Sequence, residues 1–68
     1  MINFKLTGNH IELVRLLKAA KLVGSGGEAK MAVVDGLVKL NGRNEKRKRV
    51  KIRKGDVVLF KEEEIRVE

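Results

Sequence analysis

"SGGEAKMAVVDGLVKLNG", residues 25–42, changes its periodicity halfway along, and that change decides the fold. Ser25 and Glu28 have the S-x-x-E spacing of a capping box, in which each side chain satisfies a backbone donor left unpaired at a helix start. Ala29, Ala32 and Val33 then recur at helical spacing, forming a narrow buried face of small side chains that lets another helix approach closely. Gly36 supplies the stop after a helix of about ten residues, Gly26 to Asp35. Beyond it Val38 and Leu40 alternate with Lys39 as a half-buried strand, and Asn41-Gly42 is a strong two-residue hairpin signal. A capped helix running at once into a strand and a tight turn predicts an α+β domain.

The flanking sequence is consistent with this. Upstream, Ile2, Phe4 and Leu6 alternate with Asn3 and Lys5 as an N-terminal strand, and Thr7-Gly8-Asn9 breaks it. From His10 to about Lys21, Leu13, Leu16, Leu17 and Ala20 share one helical face while Glu12, Arg15 and Lys18 share the other. "LVGSGG" ends that helix, with Gly24 predicted in the left-handed position past it. Downstream, Val50 and Ile52 alternate with Arg49, Lys51 and Arg53 in another strand; "KGD" leads into "VVLF" and "KEEE" into "IRV". The predicted architecture is an N-terminal strand and a helix pair packed on a small twisted, mainly antiparallel sheet.

With 68 residues the chain has room for a single domain, 1–68, since a chain of this size buries only about 60% of its unfolded surface. A composition 43% hydrophobic and 37% charged suits a folded core rather than a disordered polycation. There is no Cys, hence no disulfide and no thiolate metal site, which fits a reducing compartment. "MINFKLTGNHIELVRLL" lacks the apolar run of a signal peptide, and no stretch approaches about 18 apolar residues, so a cytoplasmic protein without membrane contact is expected. The net charge of +7 points to a polyanionic partner, nucleic acid first. The acids cluster at the far end, in "KEEEIRVE".

The order of parts resembles the alpha-L RNA-binding motif, the "S four" domain family. The matching residues are Ser25, Glu28, Ala29, Lys30, Gly36, Val38, Leu40, Asn41, Gly42, Ile52, Gly55 and Asp56, with a motif core at 11–60. Within that family the chain is similar to the stand-alone bacterial YbcJ-type group, through Ser25, Gly26, Ala29 and Lys30 and then Glu45, Arg47, Arg49, Lys51 and Ile52. Gly26 stands where larger members carry an Arg used on RNA. The resemblance implies binding of structured RNA, ribosomal or transfer RNA, by a ribosome-associated bacterial protein. It implies no catalysis, cofactor or small-molecule substrate, and it names no protein partner.

Candidate binding residues follow from the residues themselves. Arg43, Lys46, Arg47, Lys48, Arg49, Lys51, Arg53 and Lys54 are eight of the sixteen Lys and Arg. If Val50 and Ile52 face inward, Arg47, Arg49, Lys51 and Arg53 form an outward row spaced roughly 6.5–7 Å apart, at about 3.3 Å rise per residue. Arg43, Lys46 and Lys48 lie in or near the preceding loop. The alternative is a charged face that discourages edge pairing. Ser25 and Gly26 open a helix whose free amides suit a phosphate, or they serve only as its cap. Arg15, Lys18 and Lys30 extend the cationic surface or are simply the wet faces of amphipathic helices.

Other features argue against rival functions. His10, the only histidine, has no partner ligands and suits a helix-start or half-buried structural role rather than metal binding or catalysis. Glu62 to Glu64 suit a solvated turn. Phe4 and Phe60, the only aromatics, fall in strand patterns directed to the core, so unpaired bases have no stacking platform and recognition by shape and phosphate is favoured. Two rivals to RNA binding are an adaptor module on a ribonucleoprotein assembly and a helix-turn-helix DNA reader. The second would have a poor reading helix, with one cation against two acids. An enzyme lacks both a nucleophile–base pair and a chain long enough for a pocket.

Overall fold

A computed structural model describes residues 1–68. Its elements in chain order are β1 (Ile2–Phe4), β2 (Ile11–Glu12), α1 (Leu13–Ala19), α2 (Gly26–Val34), β3 (Val38–Leu40), β4 (Arg43–Asn44), β5 (Lys51–Ile52), β6 (Val57–Phe60) and β7 (Glu63–Val67). Five strands form one sheet in the order β1-β7-β6-β3-β4, and β2 pairs with β5 in a separate two-stranded sheet. All pairings are antiparallel except β1 with β7, which brings the two chain ends together in parallel register, Ile2 opposite Ile65 and Phe4 opposite Val67. This is the expected α+β architecture with a mainly antiparallel sheet. No helix is long and apolar enough to cross a membrane.

Both helices end in the same device. At α2 the Gly36 N–H donates to the Val33 carbonyl (3.1 Å) and the Leu37 N–H to Ala32 (3.0 Å), with Gly36 left-handed at φ 76°. At α1 the corresponding bonds run from Lys21 to Lys18 (3.0 Å) and from Leu22 to Leu17 (3.1 Å). This paired pattern is a Schellman motif, which needs a left-handed residue just past the helix. The residue in that position after α1 is Lys21, at φ 61°, and not Gly24 as the composition of "LVGSGG" suggested. The helix is also shorter than its apolar periodicity, because Ile11 and Glu12 are drawn into β2 and His10 stays exposed outside it.

The cores of the helices and the sheet are continuous. Leu13, Leu16 and Leu17 of α1 and Ala29 and Val33 of α2 are completely covered, together with Val38, Ile52, Val58 and Ile65 from the strands. A seven-residue helix is marginal alone, so α1 depends on this packing and on what satisfies its first amides. The hairpin β3–β4 turns at Asn41 (φ 51°) and Gly42 (φ 88°), both left-handed as its Asn-Gly sequence requires. Phe60 is buried and Phe4 half-buried. Of the acidic run, Glu63 and Glu64 belong to β7 rather than to a turn, leaving Lys61-Glu62 as the bend.

Candidate nucleic-acid interface

Residues 45–50 decide the site. No side chain caps α1, whose N-cap is Glu12. The Leu13 N–H donates instead to the Val50 carbonyl (3.0 Å), and the Val14 N–H to the Lys48 carbonyl (3.2 Å). A helix start carries unpaired amides and partial positive charge, so carbonyl oxygens are its natural partners. Main-chain atoms of the basic loop therefore cap the first helix, and the Lys48 and Arg49 side chains are delivered beside it.

This arrangement corrects the predicted row. Arg47, Arg49, Lys51 and Arg53 do not lie along one strand, because the extended segment is only Lys51–Ile52 and residues 48–49 form a turn. A strand persists only where it has a ladder partner, and the partner here is the two-residue β2, with Ile11 opposite Ile52 and Glu12 opposite Lys51. Before that point the carbonyls of residues 48 and 50 turn toward α1. Ile52 is fully buried as expected, whereas Val50 is half-buried.

A groove replaces the row. Glu12, Val14, Arg15, Lys30, Lys48 and Arg49 line a concavity of about 420 Å³ where the start of α1, the first half of α2 and the capping loop meet. Four cations against one carboxylate make it electropositive, and a concave surface concentrates such a field. Glu12 lies 4.0 Å from the Arg15 guanidinium, a loose pairing at an exposed site. Glu12 and Arg15 also line an adjoining recess with His10 and Ile11. The liners Glu12 and Val14 escaped sequence reasoning, although a valine on the polar face of α1 was a visible signal.

The remaining candidates lie elsewhere. Arg43 is exposed on the edge strand β4; Lys46, Lys51, Arg53 and Lys54 are exposed around the loop and the following turn; Lys18 is exposed in the last turn of α1. None of these lines the groove. Ser25 caps α2, its Oγ accepting from the Glu28 N–H at 3.2 Å. The Glu28 carboxylate accepts from the Gly24 N–H rather than from Ser25, so the cap closes one residue earlier than the S-x-x-E pattern predicts. A Cβ at Gly26 would meet nothing within 4 Å.

Arg47 is engaged by Glu45. Its Nε donates to Glu45 Oε2 at 2.8 Å and its Nη2 to Oε1 at 3.1 Å, while its backbone N–H also donates to Oε2 at 3.1 Å. The guanidinium hydrogen bond holds the Glu45 carboxyl below its ordinary value of 4.5 and raises Arg47 in turn. Behind the loop, Asn41 and Asp56 interlock two turns. Asn41 Nδ2 donates to Asp56 Oδ1 (3.1 Å), the Val57 N–H to Asn41 Oδ1 (2.9 Å), and the Arg53 N–H to Asp56 Oδ2 (2.8 Å). The Asn-Gly and Gly-Asp pairs, which sequence reasoning treated as separate turn signals, are thus one structural unit. No three His, Asp or Glu side chains gather as a metal site.

A helix pair on a mainly antiparallel sheet, with a basic loop docked on the first helix, defines the class, and the chain belongs to the S4 domain family, whose model matches residues 4–68. Protein YbcJ of Escherichia coli (strain K12) is 47% identical over 51 residues, which cover 75% of this chain and 73% of that protein. YbcJ of Shigella flexneri matches with the same figures. The solution structure of E. coli YbcJ, described as revealing an alpha-L motif involved in RNA-binding, aligns with a TM-score of 0.76 at 41% identity over 98% of this chain and 86% of that one. The 30S ribosomal protein S4e of Thermoplasma acidophilum shares the fold, with a TM-score of 0.70 at 24% identity over 85% of this chain and 31% of its own length.

Proposed function

We propose that this chain is a small, non-catalytic RNA-binding protein that holds the phosphate backbone of structured RNA in the groove between its two helices and the 45–50 loop. The convergence of Arg15, Lys30, Lys48 and Arg49 on one concave surface carries this reading. The RNA-binding description of the YbcJ structure supports it. Lys46, Lys51, Arg53 and Lys54, exposed in the loop and the following turn, add positive charge that draws the RNA in, as do Arg43 and Lys18, while Arg47 adds a phosphate contact from the loop. Phosphate contact rather than base stacking is the mode, since neither Phe is free: Phe60 is buried, with Lys61 Nζ 5.3 Å from its ring centroid, and Phe4 is half-buried.

Ribosomal or transfer RNA is the class of target that the family resemblance implies, and crosslinking in cells followed by sequencing of the bound RNA identifies it. The direct test compares a folded RNA hairpin, a single-stranded RNA and a DNA duplex at one salt concentration. Tightest binding to the folded RNA is expected. Equal affinity for all three would reduce the groove to a non-specific polyanion site.

A further inference from the structure

Glu45 is the single acid between Arg43 and Lys54, inside the surface assigned to phosphate. By charge alone it is misplaced there, since a carboxylate repels the ligand. Its geometry explains its presence. The Glu45 N–H donates to the Val38 carbonyl at 3.0 Å, tying the residue to the sheet. Its side chain is 12% exposed and that of Arg47 is 74% exposed, so a sheltered carboxylate grips an outstretched arginine. The grip takes the Nε edge of the guanidinium and the Arg47 main-chain N–H together, fixing both the start of the loop and the direction of the side chain. Nη1 makes no hydrogen bond within the protein and remains available to a ligand.

We infer that Glu45 is a positioning residue for RNA, holding Arg47 in a binding-ready conformation so that the arginine meets a phosphate without first losing its freedom. The inference rests on the proposed RNA-binding function. Ordering a long side chain is part of what association costs, and a carboxylate that orders it beforehand removes that part. Preorganisation and repulsion act with opposite signs, so a single substitution separates them. Glu45→Gln preserves the shape while removing the charge and one acceptor oxygen.

The experiment measures binding to one folded RNA hairpin at fixed salt for the wild type, Glu45→Gln, Arg47→Ala and the double variant, with melting temperatures to establish folding. Positioning requires Glu45→Gln to weaken binding about two- to tenfold in the wild type and to leave it unaltered or strengthened when Arg47 is already Ala. Tighter or unchanged binding by Glu45→Gln in the wild type overturns the inference, and so does an equal loss in both backgrounds, which would make Glu45 a loop-folding residue. Arg47→Lys keeps the charge but not the two-point fork, so unchanged affinity in that variant also overturns it. A Lys48→Ala/Arg49→Ala control separates the two levels of the argument. If that control binds normally the groove reading falls, whereas if it alone loses affinity only the positioning role of Glu45 falls.

Discussion

Replacing Lys48 and Arg49 together with Ala removes two of the four groove cations while leaving intact what holds the loop. The Lys48 and Val50 groups that cap α1 are main-chain carbonyls, which Ala retains, so folding should be unaffected. Each neutralised phosphate contributes about −0.9 to the slope of log affinity against log salt on a duplex. With Arg15, Lys30, Lys48 and Arg49 of the groove and the positioned Arg47 each engaging one phosphate, the wild-type slope is about −4.5. Glu12 does little to reduce this, because at 4.0 Å on an exposed surface it is a weak competitor for Arg15. The double variant should show a slope shallower by about 1.8. If the two lines meet near 1 M salt, affinity falls about 60-fold at 0.1 M and about ninefold at 0.3 M. The assay is fluorescence anisotropy of a labelled RNA hairpin across a salt series, with a thermal melt of each protein. An unchanged slope with an unchanged melt would refute the groove. A collapsed melt would refute the claim that the loop keeps its cap on α1 without the Lys48 and Arg49 side chains.

Other substitutions test the framework behind the groove. Lys21→Gly, which relieves a left-handed lysine, should stabilise the protein by about 0.5–1 kcal/mol, whereas Gly36→Ala at the equivalent position after α2 should destabilise it by about 1 kcal/mol; opposite shifts in urea midpoint would confirm the shared Schellman geometry. Asp56→Ala breaks the bonds to Asn41 Nδ2 and the Arg53 N–H and should cost about 1–2 kcal/mol by urea denaturation; an unchanged midpoint would mean that the interlock contributes nothing. Leu17→Ala opens a hole in a fully covered site and should cost about 2–5 kcal/mol by the same measurement. For Glu45, whose carboxyl lies below its ordinary 4.5, the contribution to stability is present above that pH and lost as pH falls through the folded-state value. The stability gap between wild type and Glu45→Gln should therefore close in acid, and a gap that widens there contradicts the pairing with Arg47.

The elements that local chemistry specifies were legible in the sequence. The Ser25 cap, the Ala29–Ala32–Val33 face, the Gly36 stop and the Asn41-Gly42 turn each follow from residues within a few positions of one another. Helix ends were less legible where the deciding partner was distant. Ile11 and Glu12 have helical periodicity but pair with Lys51 and Ile52, about forty residues away. Lys21 takes a conformation that composition assigns to glycine because Leu22 and the helix carbonyls hold it there. In the candidate site, the residue types were visible but their arrangement was not. Alternation of Val50 and Ile52 predicted a row of cations, and the capping of α1 by the loop produced a groove.

The sequence by itself determined the α+β class, the single small core, the cationic loop and an aromatic complement of only two Phe, because periodicity, turn chemistry and composition act locally or in sum. Only the tertiary structure decided which cations converge. Arg15, Lys30, Lys48 and Arg49 come from three separated segments: the packing of α2 against α1 brings in Lys30, and the free amides at the start of α1, which find their acceptors in the carbonyls of Lys48 and Val50, bring in the loop. A backbone requirement at one helix end, which no side-chain pattern records, thus sets the shape of the charged surface.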